Sequence, residues 1–480
     1  MKKSLSDHTW FFILLFLSFA CSKSAVDPDS GSGDSSDSNG ASLITSVELE
    51  TFEETPLSRA VHVELTAPAA IRLEFWQGSG PHFERQFTEV ELSQTLPLLG
   101  LKSASETYLI VHADTGEVSE SSSIIEFDTA ALPFDSMIEM GDFGGIDSDG
   151  SMVLFQLGNR DRPDQNKFFI GVDRSGEIVW TFENTIQTLS AGAFIESFAD
   201  GQFVYPALQG CVFIDALGQV TRNVIRDELV IGDFAIQPNG SLLLITPERR
   251  TLPTEKWGTI EVVGSKIVEL DSEGDESWDW SSFDHLDTER YPNLLSTPKQ
   301  GVSDWIHMNS LQFIEAHNQI LVSLRHQNQV LLIDRATGDV VWTLGMGGDF
   351  DLQSGSWFSS QHDVSMQSDG SILLYDNGNF KSEDPTTRIV RYVVDEETQT
   401  AEQVLDLDMG VFMNTMGGVI PLENGNFHVT LGGHRDRSMP ARVVEVTPEG
   451  QSVWEMELSA LGTFWTIYRS SVYQFAQPIQ

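Results

Sequence analysis

Apolar and polar residues alternate with a period of two over long parts of this chain, which is the pattern of half-buried β-strands. Between residues 43 and 132 the alternation is clear in Val-His-Val-Glu-Leu at 61–65 and in Tyr-Leu-Ile-Val at 108–111, with turn residues between such runs. No long amphipathic helical pattern interrupts them. Residues 43–132 are therefore predicted to form a small β-sandwich of the immunoglobulin or fibronectin type.

A longer repeat begins at residue 133. Each unit has an apolar stretch, a first tight turn, an apolar strand that leads to a second turn, and a further strand. The first turns are Asp149-Gly150, Asp200-Gly201, Asn239-Gly240, His317-Asn318, Asp369-Gly370 and Asn424-Gly425. Six all-β units at intervals of roughly 40 to 80 residues are typical of blades with insertions. The predicted fold is therefore all-β, with a six-bladed β-propeller over residues 133–480.

Four of the six units carry a tryptophan in the strand that follows the second turn. These are Trp180, Trp278, Trp342 and Trp454. Because a large apolar ring recurs at the same place in successive units, we expect these side chains to pack between neighbouring blades.

Residues 1–21 have the pattern of an export signal. Lys2 and Lys3 precede an apolar run over 10–20, which is too short to span a bilayer as a helix. Its end, Leu-Ser-Phe-Ala-Cys, resembles a bacterial lipoprotein signal, in which the cysteine, here Cys21, is lipidated and becomes N-terminal. Residues 22–42 are rich in Ser, Asp and Gly and are predicted to be a flexible tether. We therefore expect an exported cell-envelope lipoprotein, in the periplasm or on the outer membrane surface, with plain secretion as the alternative.

The charge of the chain limits its partners. There are 71 Asp and Glu against 28 Lys and Arg, which gives a formal net charge of −43. This balance argues against a nucleic-acid partner and against a basic patch on an anionic membrane, so any membrane contact is expected through the lipid alone. An anionic substrate must be bound by a few local cations, which makes each Arg or His in a cleft informative.

Three segments concentrate the residue types that can carry chemistry. They are Asp-Trp-Ile-His-Met-Asn-Ser at 304–310, Ser-Leu-Arg-His-Gln-Asn at 323–328 and Gln-His-Asp at 361–363. On a strand, His307 and Asn309 project to one face, and Arg325 shares a face with residue 323 of another strand. Such side chains can converge on a propeller channel. They can equally form hydrogen bonds to adjacent loops, and the pattern alone leaves both possibilities open.

No motif for a cofactor or a metal occurs in the sequence. We find no P-loop, no Gly-rich dinucleotide turn after a strand, no Cys/His zinc spacing and no EF-hand loop. The sequence therefore predicts neither a cofactor nor a metal centre.

The same segments resemble the core of the bacterial arylsulfotransferase family. The resemblance is carried by 304–350, by Gln-His-Asp at 361–363 and by Leu-Tyr-Asp-Asn-Gly-Asn at 374–379, and it extends more weakly over most of the mature chain. It implies transfer of a sulfuryl group from an aryl sulfate to a phenol through a sulfated histidine, without a nucleotide donor. By position, His362 would be the nucleophile.

The resemblance assigns supporting roles to three further residues. His307, Asn309 and Arg325 match the family's supporting positions. An arginine fork and an asparagine amide can stabilise charge on the transferring oxygens, and a second histidine can give a proton to the leaving phenolate. Arg388 could face the channel and contribute to substrate binding. The oligomeric state is not indicated.

The chain departs from the family pattern at one place. Before the third unit's Asn-Gly turn, where catalytically competent relatives commonly carry a His-His-Asp or similar element, this sequence has Val-Ile-Gly-Asp-Phe at 230–234. The resemblance therefore implies one missing charge-stabilising group, whose loss typically lowers a rate about 100- to 1000-fold. His326 or His434 could substitute by binding the substrate. The alternatives are a non-catalytic surface propeller that binds a ligand or glycan, and a quinone-dependent dehydrogenase propeller.

Overall fold

The computed structural model describes residues 42–132, 139–140, 148–159, 166–186, 188–189, 193–199, 201–380, 384–434, 439–459 and 465–479. The predicted signal, Cys21 and nearly all of the predicted tether lie outside these residues. Regular structure within them is almost entirely β, with one short helix, α1 (Ser282–His285), and one 3-10 turn (Glu315–His317). None of the helices in this part of the chain is long and apolar enough to cross a membrane.

The N-terminal region is a seven-stranded antiparallel sheet that includes the last strand of the chain. Its members are β1 (Ile44–Thr51), β2 (Arg59–Gln77), β3 (Phe83–Leu98), β4 (Glu106–Asp114), β5 (Ser119–Ser121), β6 (Ile125–Asp128) and β36 (Gln477–Pro478). Strand β1 pairs with the first half of β2, and β4 pairs with the second half of β2. Strand β3 pairs with both halves of β2, and the register of this pairing shifts between Glu64 and Ala69. Alternate side chains of both halves enter one hydrophobic core, as the predicted sandwich requires.

Six further sheets form the six blades of a β-propeller, which confirms the predicted fold class. Blade 1 has β8 (Ser151–Gln156), β10 (Phe168–Asp173), β11 (Ile178–Glu183) and β35 (Ser470–Gln474). Blade 2 has β12 (Glu196–Ala199), β13 (Gln202–Ala207), β14 (Gly210–Asp215) and β15 (Val220–Ile225). Blade 3 has β16 (Phe234–Ile236), β17 (Leu242–Thr254), β18 (Gly258–Leu270), β19 (Glu276–Ser281) and β20 (Val302–Asp304).

The other three blades complete the ring. Blade 4 has β21 (Met308–Ile314), β22 (Gln319–Leu324), β23 (Gln329–Asp334) and β24 (Val340–Gly345). Blade 5 has β25 (Asp351–Ser354), β26 (His362–Met366), β27 (Ile372–Asp376), β28 (Arg388–Asp395) and β29 (Thr400–Asp408). Blade 6 has β7 (Glu139–Met140), β30 (Gly418–Pro421), β31 (Phe427–Leu431), β32 (Arg442–Val446) and β33 (Ser452–Ser459). Two short strands, β9 (Gly158–Asn159) and β34 (Trp465–Thr466), pair with each other.

Segments from both ends of the repeat close the ring. The C-terminal strand β35 lies beside β8 as the innermost strand of blade 1, and β7 adds to the outer edge of blade 6. Blades 1 and 6 therefore each contain strands from distant parts of the chain, so that the ring is closed by backbone hydrogen bonds.

Four buried tryptophans connect neighbouring blades. The indole N–H of Trp180 donates to Ala216 O at 3.0 Å, that of Trp280 to Gly338 O at 2.9 Å, and that of Trp454 to Arg174 O at 2.9 Å. Trp342 donates to the Glu396 carboxylate at 3.1 Å in the same way. In each case the acceptor lies in a turn of the next blade. In blade 3 the bonded ring is Trp280, two residues beyond Trp278, which stays partly exposed.

The N-terminal sheet and blade 1 share one hydrophobic cluster. The ring of Phe475 lies 6.0 Å from that of Phe83 in β3. Arg85, also in β3, donates to Phe475 O at 3.3 Å and to the Tyr473 hydroxyl at 3.2 Å. The C-terminal segment therefore belongs to the core of both parts, and we expect them to unfold together.

One guanidinium connects the starts of the innermost strands. Arg469, just before β35, donates two hydrogen bonds to Asp233 of blade 3 at 3.1 and 3.2 Å. Its Nε lies 3.3 Å from an oxygen of Asp363 in blade 5, and its Nη1 lies 3.8 Å from Glu196 in blade 2. Four blades thus meet at a single buried cation.

The carboxylates extend this cluster to the other two blades. Asp233 accepts the backbone N–H of Leu311 in blade 4 at 3.0 Å, and Asp363 accepts that of Val419 in blade 6 at 2.7 Å. The innermost strands of all six blades are therefore tied together at one end of the channel. Asp363 directly follows His362, so this is the end that carries the candidate nucleophile.

Three carboxylates around one guanidinium leave an excess of negative charge. Burial raises the pKa of Glu196 to about 7; Arg469 lowers it, and the charges of Asp233 and Asp363 raise it further. Burial also raises the pKa of Asp233, although Arg469 opposes this. Glu196 therefore keeps its proton to a higher pH than an ordinary glutamate does. This holds although 38% of its side chain is exposed.

We expect Phe475→Ala to lower the free energy of unfolding by about 3–5 kcal/mol, because it opens a cavity between the N-terminal sheet and blade 1. Urea denaturation followed by fluorescence and by circular dichroism measures this change. The matched control is Val472→Ala in β35, directly before Phe475. Its side chain is 37% exposed, so the expected loss of unfolding free energy is about 0.5 kcal/mol. Equal losses in both variants would contradict the shared core.

Glu196→Gln is expected to gain stability relative to the parent as the pH rises. The pKa of Glu196 is about 7 in the folded protein and about 4.5 when unperturbed. Folding is therefore accompanied by uptake of a proton at pH values between these two. Its contribution to stability therefore falls as the pH rises from about 4.5 to about 7, whereas glutamine does not titrate. Melting temperatures at pH 5 and pH 8 give the comparison. A difference between Glu196→Gln and the parent that stays constant from pH 5 to pH 8 would refute the assignment.

Candidate active site

The three candidate segments meet at the same end of the channel. His307 immediately precedes β21, Arg325 immediately follows β22, and His362 is the first residue of β26. Blades 4 and 5 are neighbours, so the ends of these strands lie side by side. The fold therefore brings together the segments that the sequence separates.

The residue before His362 is bound tightly to blade 4. Gln361 is fully buried, and its side-chain N–H groups donate to Ser323 Oγ at 3.0 Å and to Gln329 O at 2.9 Å. Asn309, 1% exposed, donates from Nδ2 to Gln361 O at 2.8 Å. Asn309 therefore positions the backbone that carries His362. The sequence resemblance implies instead a contact between this amide and the oxygens of the transferred sulfuryl group.

The hydrogen bonds of Asn377 fix the tautomer of His362. Asn377 donates from Nδ2 to Met413 O at 2.7 Å and to Met416 O at 3.0 Å, so its Oδ1 must face the imidazole. The distance from that oxygen to His362 Nδ1 is 2.6 Å. Nδ1 is therefore the N–H donor, and the lone pair is on Nε2, which has no hydrogen-bond partner among the residues that the structure describes.

His362 is also kept neutral. Burial lowers its pKa well below the usual value, and the positive charge of Arg325 lowers it further, while the hydrogen bond to Asn377 opposes the change. A neutral imidazole with its lone pair on Nε2 is the form that can attack an electrophile.

His326 orients Arg325. Its Nδ1 donates to Asp304 O at 2.6 Å, which leaves Nε2 to accept from Arg325 Nη1 at 2.9 Å. Burial lowers the pKa of His326 to about 3, and the neighbouring charge of His307 contributes, so the ring is neutral at physiological pH. The other end of the fork, Nη2, donates to Asn414 O at 3.1 Å. Arg325 is 7% exposed and held from two sides.

His307 forms a pair with Asp304. Its Nδ1 donates to the Asp304 carboxylate at 2.6 Å, and its ring stacks on His326 with centroids 4.5 Å apart. Burial raises the pKa of Asp304, but the hydrogen bond and the charge of His307 outweigh it, so the pKa is lowered. His307 has a φ of 49°, a strained backbone for a bulky residue, and 44% of its side chain is exposed. An ionised carboxylate thus supports a histidine that is open to the cavity.

Asp304, His307 and His326 offer ligand atoms within 4.8 Å of one another, which is a possible geometry for a metal ion. Both nitrogens of His326 are already used, by Asp304 O and by Arg325. The guanidinium beside them would also repel a dication. The arrangement therefore fits an anion next to Arg325 better than a cation.

Two cavities share the wall formed by Asp304 and His307. One, of about 510 Å³, is charged, and its lining includes Lys299, Asp304, His307, Arg325, His326 and Asn414. The other, of about 490 Å³, is mostly apolar and is lined by Ile231, Gly232, Val263, Asn309 and Tyr468 among others. Tyr468 also packs edge-on against His362, with centroids 6.2 Å apart. The site thus has a cationic side and an apolar side.

The segment without the expected histidine lies in this site. Ile231 and Gly232 form part of the apolar cavity, and Asp233 binds Arg469. Neither candidate substitute takes that place: His326 supports Arg325, and the ring of His434 lies against Phe412, 5.6 Å between centroids. Phe412 lines a wider cavity of about 540 Å³ that adjoins the charged one.

Arg388 is placed away from these cavities. Its guanidinium donates to the buried Asp376 carboxylate at 2.8 and 3.2 Å and to Asp406 at 2.7 Å, inside blade 5. Like His362, which is 3% exposed, Arg388 is nearly buried at 7% exposed and does not line any of the three cavities, but its guanidinium is fully engaged by carboxylates. Its charge stabilises the blade, so the expected contact with the substrate does not follow from the geometry.

Sequence reasoning missed Asn377, Tyr468 and the pair of Asp233 with Arg469. Asn377 stands within the motif at 374–379, but its hydrogen bonds to the loop at 413–416 have no local signature in the sequence. Asp233 and Arg469 are 236 positions apart and meet only because the ring closes. No pattern in the sequence alone signals these contacts.

Comparisons with known proteins identify a family for this chain. A family model described as arylsulfotransferase (ASST) matches residues 147–469, which include His307, Arg325 and His362. No curated protein matches the sequence. The similar solved structures include an auxiliary nutrient binding protein from Bacteroides ovatus, with 12% identity, 87% of this chain and 90% of that chain covered and a TM-score of 0.34.

Two further solved structures are similarly distant. A luciferin-regenerating enzyme shares 12% identity over 69% of this chain and 99% of that chain, with a TM-score of 0.37. A hydrazine synthase from Kuenenia stuttgartiensis shares 13% identity over 55% of this chain and 79% of that chain, with a TM-score of 0.32. These likenesses are too weak to bear on function. The family match covers well over half of the sequence, and the chain therefore belongs to the arylsulfotransferase (ASST) family.

Proposed function

We propose that this protein transfers a sulfuryl group from an aryl sulfate to a phenol through a covalent intermediate on His362, without a nucleotide donor. Family membership supports aryl sulfotransfer in general. The observation that carries the specific mechanism is the state of His362: a neutral ring whose Nδ1 donates to Asn377 and whose Nε2 lone pair is available beside Arg325.

In the first step, His362 Nε2 attacks sulfur. The N–S bond forms and the bond between sulfur and the aryl oxygen breaks, with its electron pair going to that oxygen. The phenolate takes a proton from the imidazolium form of His307, which Asp304 stabilises. Sulfation makes the His362 ring cationic, so the hydrogen bond from Nδ1–H to Asn377 Oδ1 becomes stronger as the reaction proceeds.

The second step reverses the first with a new phenol. The hydroxyl of the acceptor gives its proton to neutral His307 while its oxygen attacks sulfur. The S–N bond breaks, and the electron pair returns to His362 Nε2. Arg325 serves both steps because its fixed fork can bind oxygens of the sulfuryl group as charge accumulates on them.

We further propose that the mature chain is exported and anchored by a lipid on Cys21. The basic start, the short apolar run and the Ser/Asp/Gly-rich stretch at 22–42 support this proposal. Such a location fits a reaction that needs no nucleotide donor, because the sulfuryl group comes from an ester outside the cytoplasm.

Brief exposure to 4-nitrophenyl sulfate is expected to add the mass of one SO₃ group to the peptide that contains His362, with release of one equivalent of 4-nitrophenolate. His362→Ala should abolish both signals while the melting curve stays near that of the parent. His317→Ala, which changes an exposed turn histidine, is the matched control and should retain both. Turnover that persists in His362→Ala would rule out the covalent mechanism.

Arg325→Gln is expected to lower kcat about 100- to 1000-fold with a smaller change in KM, because the guanidinium acts mainly on charge that develops in the transition state. Steady-state transfer from 4-nitrophenyl sulfate to phenol measures the effect. Arg391→Gln, which removes a half-buried arginine elsewhere in blade 5, provides the control and should leave kcat near the parental value. An effect confined to KM would show that Arg325 only binds the substrate.

A further inference from the structure

Two cations line the charged cavity. Lys299 and Arg325 both contribute to its wall, and the one carboxylate among its described lining residues is that of Asp304, which His307 already binds. When His307 carries a proton, its charge balances that of Asp304. Lys299 is thus a second cation in this wall besides Arg325, whereas a single sulfate ester carries one negative charge.

Lys299 has no carboxylate within ion-pair distance in the part of the chain that the structure describes. This is informative in a protein with 71 acidic and only 28 basic side chains. Among the described lysines, Lys167 pairs with Glu183 and Lys266 with Glu276 and Asp279, whereas Lys102 and Lys256, which do not line this cavity, have no ion pair either. An exposed lysine that stays unpaired in a cavity wall leaves its charge available for a ligand.

The backbone of Lys299 is held in a tight turn. Its N–H donates to Val302 O at 2.8 Å, and Val302 N–H donates back to Lys299 O at 3.2 Å. Between them, Gln300 and Gly301 have φ values of 56° and 83°, as in a type I′ turn. Val302 then begins β20, which pairs with β18. The ammonium group therefore extends from a fixed point.

The segment before Lys299 is attached to the residue that follows Arg325. Asn293 donates from Nδ2 to His326 O at 2.8 Å, and Ser303 Oγ donates to Ser296 O at 2.6 Å. This insertion of blade 3 therefore forms a wall of the cavity whose position relative to Arg325 is set by direct hydrogen bonds.

Apolar side chains lie beside the two cations. The adjoining cavity of about 540 Å³ is also lined by Lys299, together with Leu294, Leu295, Phe380 and Phe412. Leu294 is 74% exposed and Phe380 is 42% exposed, so the cavity presents apolar surface to solvent. An aromatic ring on this surface can have its sulfate toward Arg325 while its other substituents approach Lys299.

We propose that Lys299 binds a second negatively charged group on the aromatic ring, so that the preferred substrates are aryl sulfates and phenols that carry a carboxylate. This inference rests on the proposed function for the identity of the reacting group. The carboxylate forms a charge-assisted hydrogen bond with the Lys299 ammonium, and Arg325 binds the sulfuryl oxygens. Selectivity then comes from Lys299, whereas the chemistry uses His362, Arg325 and His307.

The kinetic test compares 4-nitrophenyl sulfate with the sulfate ester of 4-hydroxybenzoate. Lys299→Gln is expected to lower kcat/KM about tenfold for the carboxylated ester and to leave that of 4-nitrophenyl sulfate nearly unchanged, since one charge-assisted hydrogen bond is lost. Lys299→Arg should retain the preference. The control Lys256→Gln removes an exposed lysine that stacks on Trp257 and should change neither value. Equal losses for both esters, or no loss for either, would overturn the proposal.

A binding test separates this inference from the proposed function. With His362→Asn, which cannot form the intermediate, calorimetry at low and high salt compares 4-hydroxybenzoate with phenol. We expect tighter binding of the carboxylate, a loss of that preference in Lys299→Gln, and a weaker preference at high salt. If turnover is observed but this preference does not depend on Lys299, the inference alone fails. If the preference is present but no ester is turned over, the proposed function fails instead.

Discussion

The rest of the structure depends on the contacts of Arg469. A buried guanidinium costs desolvation energy, which is recovered only when well-placed carboxylates surround it. Here Asp233 binds it through two hydrogen bonds, and Asp363 and Glu196 add charge. Asp233 and Asp363 also accept backbone N–H groups of blades 4 and 6. Asp363 is adjacent to His362 and has a left-handed φ of 47°, so the cluster that closes the ring also fixes the backbone of the candidate nucleophile.

The second organising feature is that two histidines of the site are kept neutral, chiefly by burial. Burial and Arg325 lower the pKa of His362, and burial lowers that of His326 to about 3. In a chain of net charge −43, a buried arginine would otherwise attract carboxylates. Neutral His326 and the carbonyl of Asn414 both accept hydrogen bonds from the Arg325 guanidinium. The result is a local positive site within an acidic protein.

Much of the fold could be predicted from local chemistry. The alternation of β2 and the six turn pairs follow directly from side-chain periodicity and backbone preference, and His307, Arg325 and His362 stand in motifs that the resemblance assigns. The sequence does not indicate the pairings made by ring closure. Arg388 shows the limit: its type and strand-end position fit a substrate contact, but it pairs with Asp376 on the adjacent strand, a choice that only packing decides. Trp278 and Trp280 likewise point to the same face of β19: Trp280 donates to Gly338 O of blade 4, whereas the ring of Trp278 lies under Arg335 of that blade.

The absent family histidine changes how the site handles charge. Its segment contributes Ile231 and Gly232 to an apolar cavity, while Asp233 turns to Arg469 and becomes structural. Arg325 and Lys299 line the cavity on the opposite side of His307, whereas Arg249, which lines the apolar cavity, pairs with Glu261. In the proposed reaction an apolar wall would not stabilise developing negative charge, so the sulfuryl oxygens would face Arg325, and His307 at the shared wall would transfer the proton of the phenol. The substitution that removes one charge-stabilising group thus defines the orientation that remains possible.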